Sequence, residues 1–347
     1  MGKYEESLRA TMKKKILIIA ASVVLAGVIF MCLYLGLRKD STAKIKNVSQ
    51  VQSDHSRTDM EKVLDDQGVE QWGFAVKKDG ICFAGADFSL KFYSFDKKSS
   101  STILAAQDDI DSIKIVSTDD SCLYQLIKSQ SSDLYLYNSN LSKLGFGAVS
   151  PIKANLSFYI SDADKSPLVL DSSGNKVSAS GIGSTSLFKF APLSQESAFA
   201  ITDYDFELQF GDLIYKQNDN IKVLSSVSGV LDLSANAKTA FFTYDAGRTI
   251  NGVLISAEGD KIAEISDVDP ATIRSVADGY YFATKPAGKD SGTNESNAVT
   301  FVSNSGQIKN YLLSVDQTDN QFNITGIDFR DGALYLQEAG TIYKLGT

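Results

Sequence analysis

One histidine stands in 347 residues, His55, and it precedes the part of the chain that reads as a folded domain. That excludes a Ser-His-Asp triad, and any histidine-held metal site, from everything after residue 70. Prolines number five, and none interrupts the best strand candidates. After residue 70 arginine occurs only as Arg248, Arg274 and Arg330, which argues against a sialidase-like site. No G-x-S-x-G elbow with a partner histidine and no EF-hand pattern is present.

Positive charge is scarce outside the N-terminus. Residues 1–39 carry seven Lys/Arg against two acids, a net of +5. The remainder carries 27 bases against 40 acids, a net of -13. So acidic a domain is repelled by phosphate backbones, so no nucleic-acid partner is expected.

Against this polar background stands one long apolar run, Ile16 to Leu37, with no charged residue. Its 22 residues, at about 1.5 Å each, span roughly 33 Å, enough for a hydrocarbon core of about 30 Å. Lys13, Lys14 and Lys15 abut its start, and no small-x-small cleavage site follows it. Cys32 follows Phe30-Met31, which does not suit a lipoprotein signal, and Glu6 breaks a myristoylation match from Gly2. The pattern predicts a cytoplasmic basic tail (1–15), a transmembrane signal-anchor helix in lipid (16–37) and an extracytoplasmic C-terminal domain.

Residues 38–69 read as a polar stalk. Thr58-Asp59-Met60-Glu61 fits a capping box and predicts a short helix through about Gln67. From residue 70 onward, short runs rich in strand formers alternate with Gly, Asp, Asn and Ser: CLYQLIK, DLYLYN, KTAFFTYD, GYYFATK, DGALYLQ. One class of turn recurs at Asp79, Asp119, Asn155, Gln195, Asn236, Asp278 and Asp331, with spacings of 40, 36, 40, 41, 42 and 53. A second class falls about twenty residues later, in LYLYNSNLSKL, LVLDSSGNKV, LIYKQNDNIKVL, VLISAEGDKIAEI and VTFVSNSGQIKNYLL. Four strands per period of about forty residues is the pattern of propeller blades, and 70–347 holds seven periods. Radial packing covers both faces of each blade, which accounts for strands apolar at consecutive positions. A β-sandwich has no reason to repeat at this period.

These repeats, and phrases such as DGALYLQEAGTIYKL, make residues 70–347 resemble the β-propeller superfamily, in the loose sense that spans WD40-like, YVTN-like and PQQ-like proteins. The single tryptophan, Trp72, leaves no recurring Trp-Asp and no recurring blade tryptophan, so no narrower family is indicated. The expected architecture is all-β: a seven-bladed β-propeller preceded by one transmembrane helix.

In a four-stranded blade, the blade-to-blade connections and the second-to-third turns share one face. Mapped so, that face gathers Asp108, Asp109, Asp111, Asp162, Asp164, Asp203, Asp205, Asp267 and Asp269. Such a face suits a basic protein partner or a cation; equally, Asp is simply a good turn residue. The segment DYDFELQFGD (203–212) has two readings. As a loop it exposes Tyr204, Phe206 and Phe210 as binding anchors; as a strand its alternation buries Phe206, Leu208 and Phe210.

Cys82 and Cys122 follow matching turns of adjacent blades, and two separate buried thiols are expected, because neighbouring blades usually hold such positions too far apart to bond. The last blade shows three strands, so an N-terminal strand is expected to close the ring, with Ile45 to Val51 the chosen donor. The loop Pro286 to Asn297 explains the one long spacing. The function expected is a membrane-tethered interaction platform, with no catalytic residue, cofactor or metal assigned. The alternative is an envelope hydrolase or lactonase using carboxylates and a bound metal.

Overall fold

The computed structural model describes residues 60–346 apart from 119, 130, 145–151, 155–156, 162–166, 171–172, 174–175, 180–186, 195–196, 285–297 and 314–322. The apolar run 16–37, the expected closing strand 45–51 and the loop 286–297 lie outside the described residues. Among the described residues no helix is long and apolar enough to cross a membrane.

The described chain is almost wholly β. It forms seven four-stranded antiparallel sheets, each built from strands consecutive in sequence except the last. Sheet 1 comprises Phe74–Lys77, Gly80–Ala84, Leu90–Ser94 and Ser99–Leu104. Sheet 2 comprises Ser112–Ser117, Cys122–Ile127, Ser132–Tyr137 and Leu141–Leu144. Sheet 3 comprises Ile152–Ala154, Ser157–Ser161, Pro167–Leu170 and Lys176–Ala179. Sheet 4 comprises Leu187–Pro192, Ser197–Asp205, Phe210–Gln217 and Asn220–Ser228. Sheet 5 comprises Val230–Ala235, Thr239–Asp245, Ile250–Ser256 and Lys261–Ile265. Sheet 6 comprises Arg274–Val276, Gly279–Thr284, Ala298–Ser303 and Ile308–Leu312. Sheet 7 comprises Gly326–Arg330, Ala333–Glu338, Thr341–Gly346 and, returning from the N-terminal side, Met60–Asp65.

The first strands of successive sheets lie side by side, and the first strand of sheet 7 lies beside that of sheet 1. The core sits between sheets, as radial packing requires. Phe199, Ile201 and Leu213 of sheet 4 meet Leu233, Phe242 and Val253 of sheet 5. Phe241 and Leu254 of sheet 5 meet Tyr280, Phe282 and Val302 of sheet 6. Successive strand side chains point to opposite faces, so Phe241 and Phe242 serve different interfaces.

Three expectations are corrected here. First, 60–65 is a strand, not the start of a capped helix. Met60 pairs with Leu345 and Asp65 with Thr341, so this segment, in place of the expected donor Ile45 to Val51, completes sheet 7 and the folded domain begins before residue 70. The open edge of Thr341–Gly346 supplies a ladder of hydrogen bonds that outweighs a local capping signal. Second, the helix begins later, at Gln67–Trp72, where the Asp66 carboxylate accepts from the Gly68 amide at 2.9 Å. Gly68 is required there, since a Cβ would sit 2.0 Å from the Ala84 carbonyl oxygen. Third, Cys82 and Cys122 are joined by a disulfide, with α-carbons 6.5 Å apart. The separate-thiol expectation took equivalent strands of adjacent blades to sit farther apart than the roughly 4.4–6.8 Å between α-carbons that a disulfide needs. Sheets 1 and 2 approach more closely at this point, and both cysteines are fully buried in their shared core.

Candidate functional site

Sheet 4 departs from its neighbours. Its second, third and fourth strands run to nine, eight and nine residues, whereas no other described strand exceeds seven. The extra length includes the hairpin that joins Ser197–Asp205 to Phe210–Gln217. Between the pairs Thr202–Asp212 and Asp205–Phe210 the register shifts, a bulge that re-aims the side chains beyond it. Asp205 then closes the turn: its carboxylate accepts from the Glu207 amide at 2.8 Å and the Leu208 amide at 3.0 Å.

What this hairpin presents is apolar. Phe206 is 73% exposed, Leu208 74% and Phe210 46%. The alternation of DYDFELQFGD therefore does not bury them, and the buried-strand reading is corrected: the turn ends the strand at Asp205, before the alternation could face a neighbour. The Tyr204 ring stacks on Phe188 at 4.0 Å between centroids, and Phe206 sets its edge against both, at 5.4 and 5.3 Å. Gly211 leaves the space this needs, because a Cβ there would come within 2.9 Å of the Tyr204 ring. The base is braced by backbone hydrogen bonds into sheet 5: the Gly229 amide donates to the Gln209 carbonyl at 2.8 Å, and the Asp245 amide to the Gly229 carbonyl at 3.0 Å. Leu231, partly exposed, follows on the first strand of sheet 5. Beside it Asp232 lies 3.8 Å from the Lys189 ammonium; burial raises its carboxyl pKa, and the lysine opposes that.

The antiparallel order places second-to-third turns and sheet-to-sheet connections at one end of the sheets. Asp203 and Asp205 lie in the sheet 4 hairpin. Asp108, Asp109 and Asp111 are exposed between sheets 1 and 2. Asp267 and Asp269 are half-buried between sheets 5 and 6, where the Asp269 carboxylate accepts from the Ala271 amide at 3.0 Å. Asp162 and Asp164 lie outside the described residues. Among the described residues, no three His, Cys, Asp or Glu side chains gather as a metal ion would need. Sequence reasoning singled out Tyr204 and Phe206 but not Phe188, Leu231 or the Lys189–Asp232 pair; Phe188 could be found only from its partner across the sheet. At the opposite end, a cavity of about 690 Å³ between sheets 4 and 5 is lined by Tyr215, Gln217, Lys222 and Lys238, among others.

Fold and topology together place the described domain in the β-propeller class. Among solved structures, YCF48 bound to a D1 peptide is similar over 86% of this chain and 100% of that one, at 10% identity and a TM-score of 0.55. Virginiamycin B lyase from Staphylococcus aureus is similar over 84% and 100%, at 11% identity and a TM-score of 0.53. PorZ, a bacterial surface component of the type-IX secretion system of Porphyromonas gingivalis, is similar over 83% of this chain and 38% of its own, at 10% identity and a TM-score of 0.55. At such identities the likeness shows the fold alone. No family model matches the chain, and no curated protein is similar to it in sequence.

Proposed function

We propose that this protein is a membrane-tethered, extracytoplasmic seven-bladed β-propeller that serves as a docking platform for a protein partner, with the sheet 4 hairpin as the contact point. One observation carries the docking reading. Of the large apolar side chains exposed among the described residues, Phe206, Leu208, Phe210, Ile221 and Val223 all belong to sheet 4 and Leu231 directly follows it. Scattered exposed apolar residues need no explanation; three gathered on one hairpin, Phe206, Leu208 and Phe210, beside the stacked Tyr204 and Phe188 rings do. The D1 peptide held by YCF48 and the surface role of PorZ are in keeping with it.

The run 16–37 supplies the tether in this reading, with lipid as its surroundings. The buried Cys82–Cys122 disulfide supports an oxidising compartment for the domain. The seven sheets and the neighbouring first strands of sheets 7 and 1 support the blade count. The test is a photo-crosslinking residue placed at Phe206 in intact cells, with Asn140, exposed at the other end of sheet 2, as control. A discrete protein adduct at 206 and none at 140 is expected. No adduct at 206, or the same adducts at both, defeats the proposal.

A further inference from the structure

We infer that the partner reaches the sheet 4 hairpin through a basic, apolar protein segment, with Lys or Arg flanking large aliphatic or aromatic anchors. This rests on the docking reading above and narrows it to one chemistry. The hairpin segment 203–212 interleaves its exposed apolar residues with Asp203, Asp205, Glu207 and Asp212, and contains no base. Two further acids, Asp232 and Asp245, lie where the hairpin is braced against sheet 5. Among the described residues, the bases of sheets 4 and 5 at this end include Lys189, already beside Asp232, and Arg248 in the matching hairpin of sheet 5. An apolar tip inside an acidic collar follows.

The collar discriminates among occupants. A second copy of the chain would bring two acidic collars together around a two-fold contact, and like charges so placed are repulsive. An anionic bilayer repels the collar, and sinking Phe206 and Leu208 into any bilayer would draw Asp205 and Glu207 toward hydrocarbon. An acidic or uncharged segment leaves four carboxylates partly desolvated without counter-charge. A basic segment meets both demands: its apolar anchors cover the tip, and its cations meet the collar and speed encounter.

The experiment pans a phage library of random twelve-residue peptides on the full-length protein in nanodiscs. Two variants of unchanged melting temperature serve as comparators, Phe206→Asp/Leu208→Asp and Asp203→Asn/Glu207→Gln. The expected result is enrichment of peptides that join Lys or Arg to large apolar residues. Their binding should fall at least about tenfold on the first variant. It should fall several-fold on the second, and likewise when salt rises from 50 to 500 mM. Peptides that need the apolar tip but are acidic or uncharged, or that ignore the second variant, overturn this inference and leave the docking reading standing. Peptides recovered equally from wild type and the first variant overturn both. Quenching of a Phe206→Trp reporter by brominated nanodisc lipid assigns the tip to the bilayer and overturns the inference as well.

Discussion

Phe241 and Phe242 are adjacent in sequence yet bury into different interfaces, one facing sheet 6 and the other sheet 4. The same two-sided burial sets the chemistry of the tyrosines. Burial raises the Tyr281 and Tyr335 phenols to about 12. An unfolded phenol ionises near 10, so between pH 10 and 12 the unfolded chain sheds protons that the folded one keeps, and stability falls as pH rises. Each phenol should account for on the order of 2 kcal/mol at the top of that window. Denaturant unfolding of Tyr281→Phe and Tyr335→Phe at pH 8 and 11.5 should show a smaller alkaline loss than wild type. The disulfide is the second residue-scale device. Its cysteines lie 40 residues apart, a closure that contributes about 4 kcal/mol in the chain-entropy account. Reductant should therefore lower the urea midpoint of wild type, while a Cys82→Ala/Cys122→Ala variant should unfold at one low midpoint with or without it.

Among the elements, Met60–Asp65 matters most, because it is the strand that pairs the first part of the domain into the last sheet. Soluble chains starting at residues 46 and 66 should differ sharply: the first unfolds in one cooperative transition, the second broadly or not at all. Equal midpoints would show that the strand is dispensable. This element also shows where sequence reasoning reaches its limit. An N-terminal donor was legible, because three strands in the last repeat leave an edge that must be covered. Which segment donates was not, since MEKVLD has weak alternation and buries chiefly Leu64, while Thr58-Asp59-Met60-Glu61 offers a helix signal in the same place. The strand pairs followed the recurring turns closely: Asn236 and Asp278-Gly279 sit where first strands meet second ones. Periodicity sees strands, whereas the exposure of Phe206 and Leu208 depends on where a bulge and an Asp205-capped turn end the pairing, a matter of backbone geometry that apolar spacing does not encode.

For the whole molecule, the proposed topology makes a direct forecast: protease added to intact cells should degrade the propeller and spare the short basic tail, whereas full protection of the propeller, with accessible controls cut, would reverse the orientation. The ring closure also has a consequence in time. Residues 60–65 leave the ribosome before their partners 341–346, with roughly 280 residues between them. At about 5–20 residues per second, the strand waits for some tens of seconds with nothing to pair with. During that wait it is a bare edge while six other sheets become able to form one after another. Glu61, Lys62 and Asp65 in its six residues suit a segment that must stay soluble and resist earlier, wrong neighbours until the chain is complete. Its charges thus act as a timer as much as a surface, delaying the strand's commitment until the one edge in register with it exists.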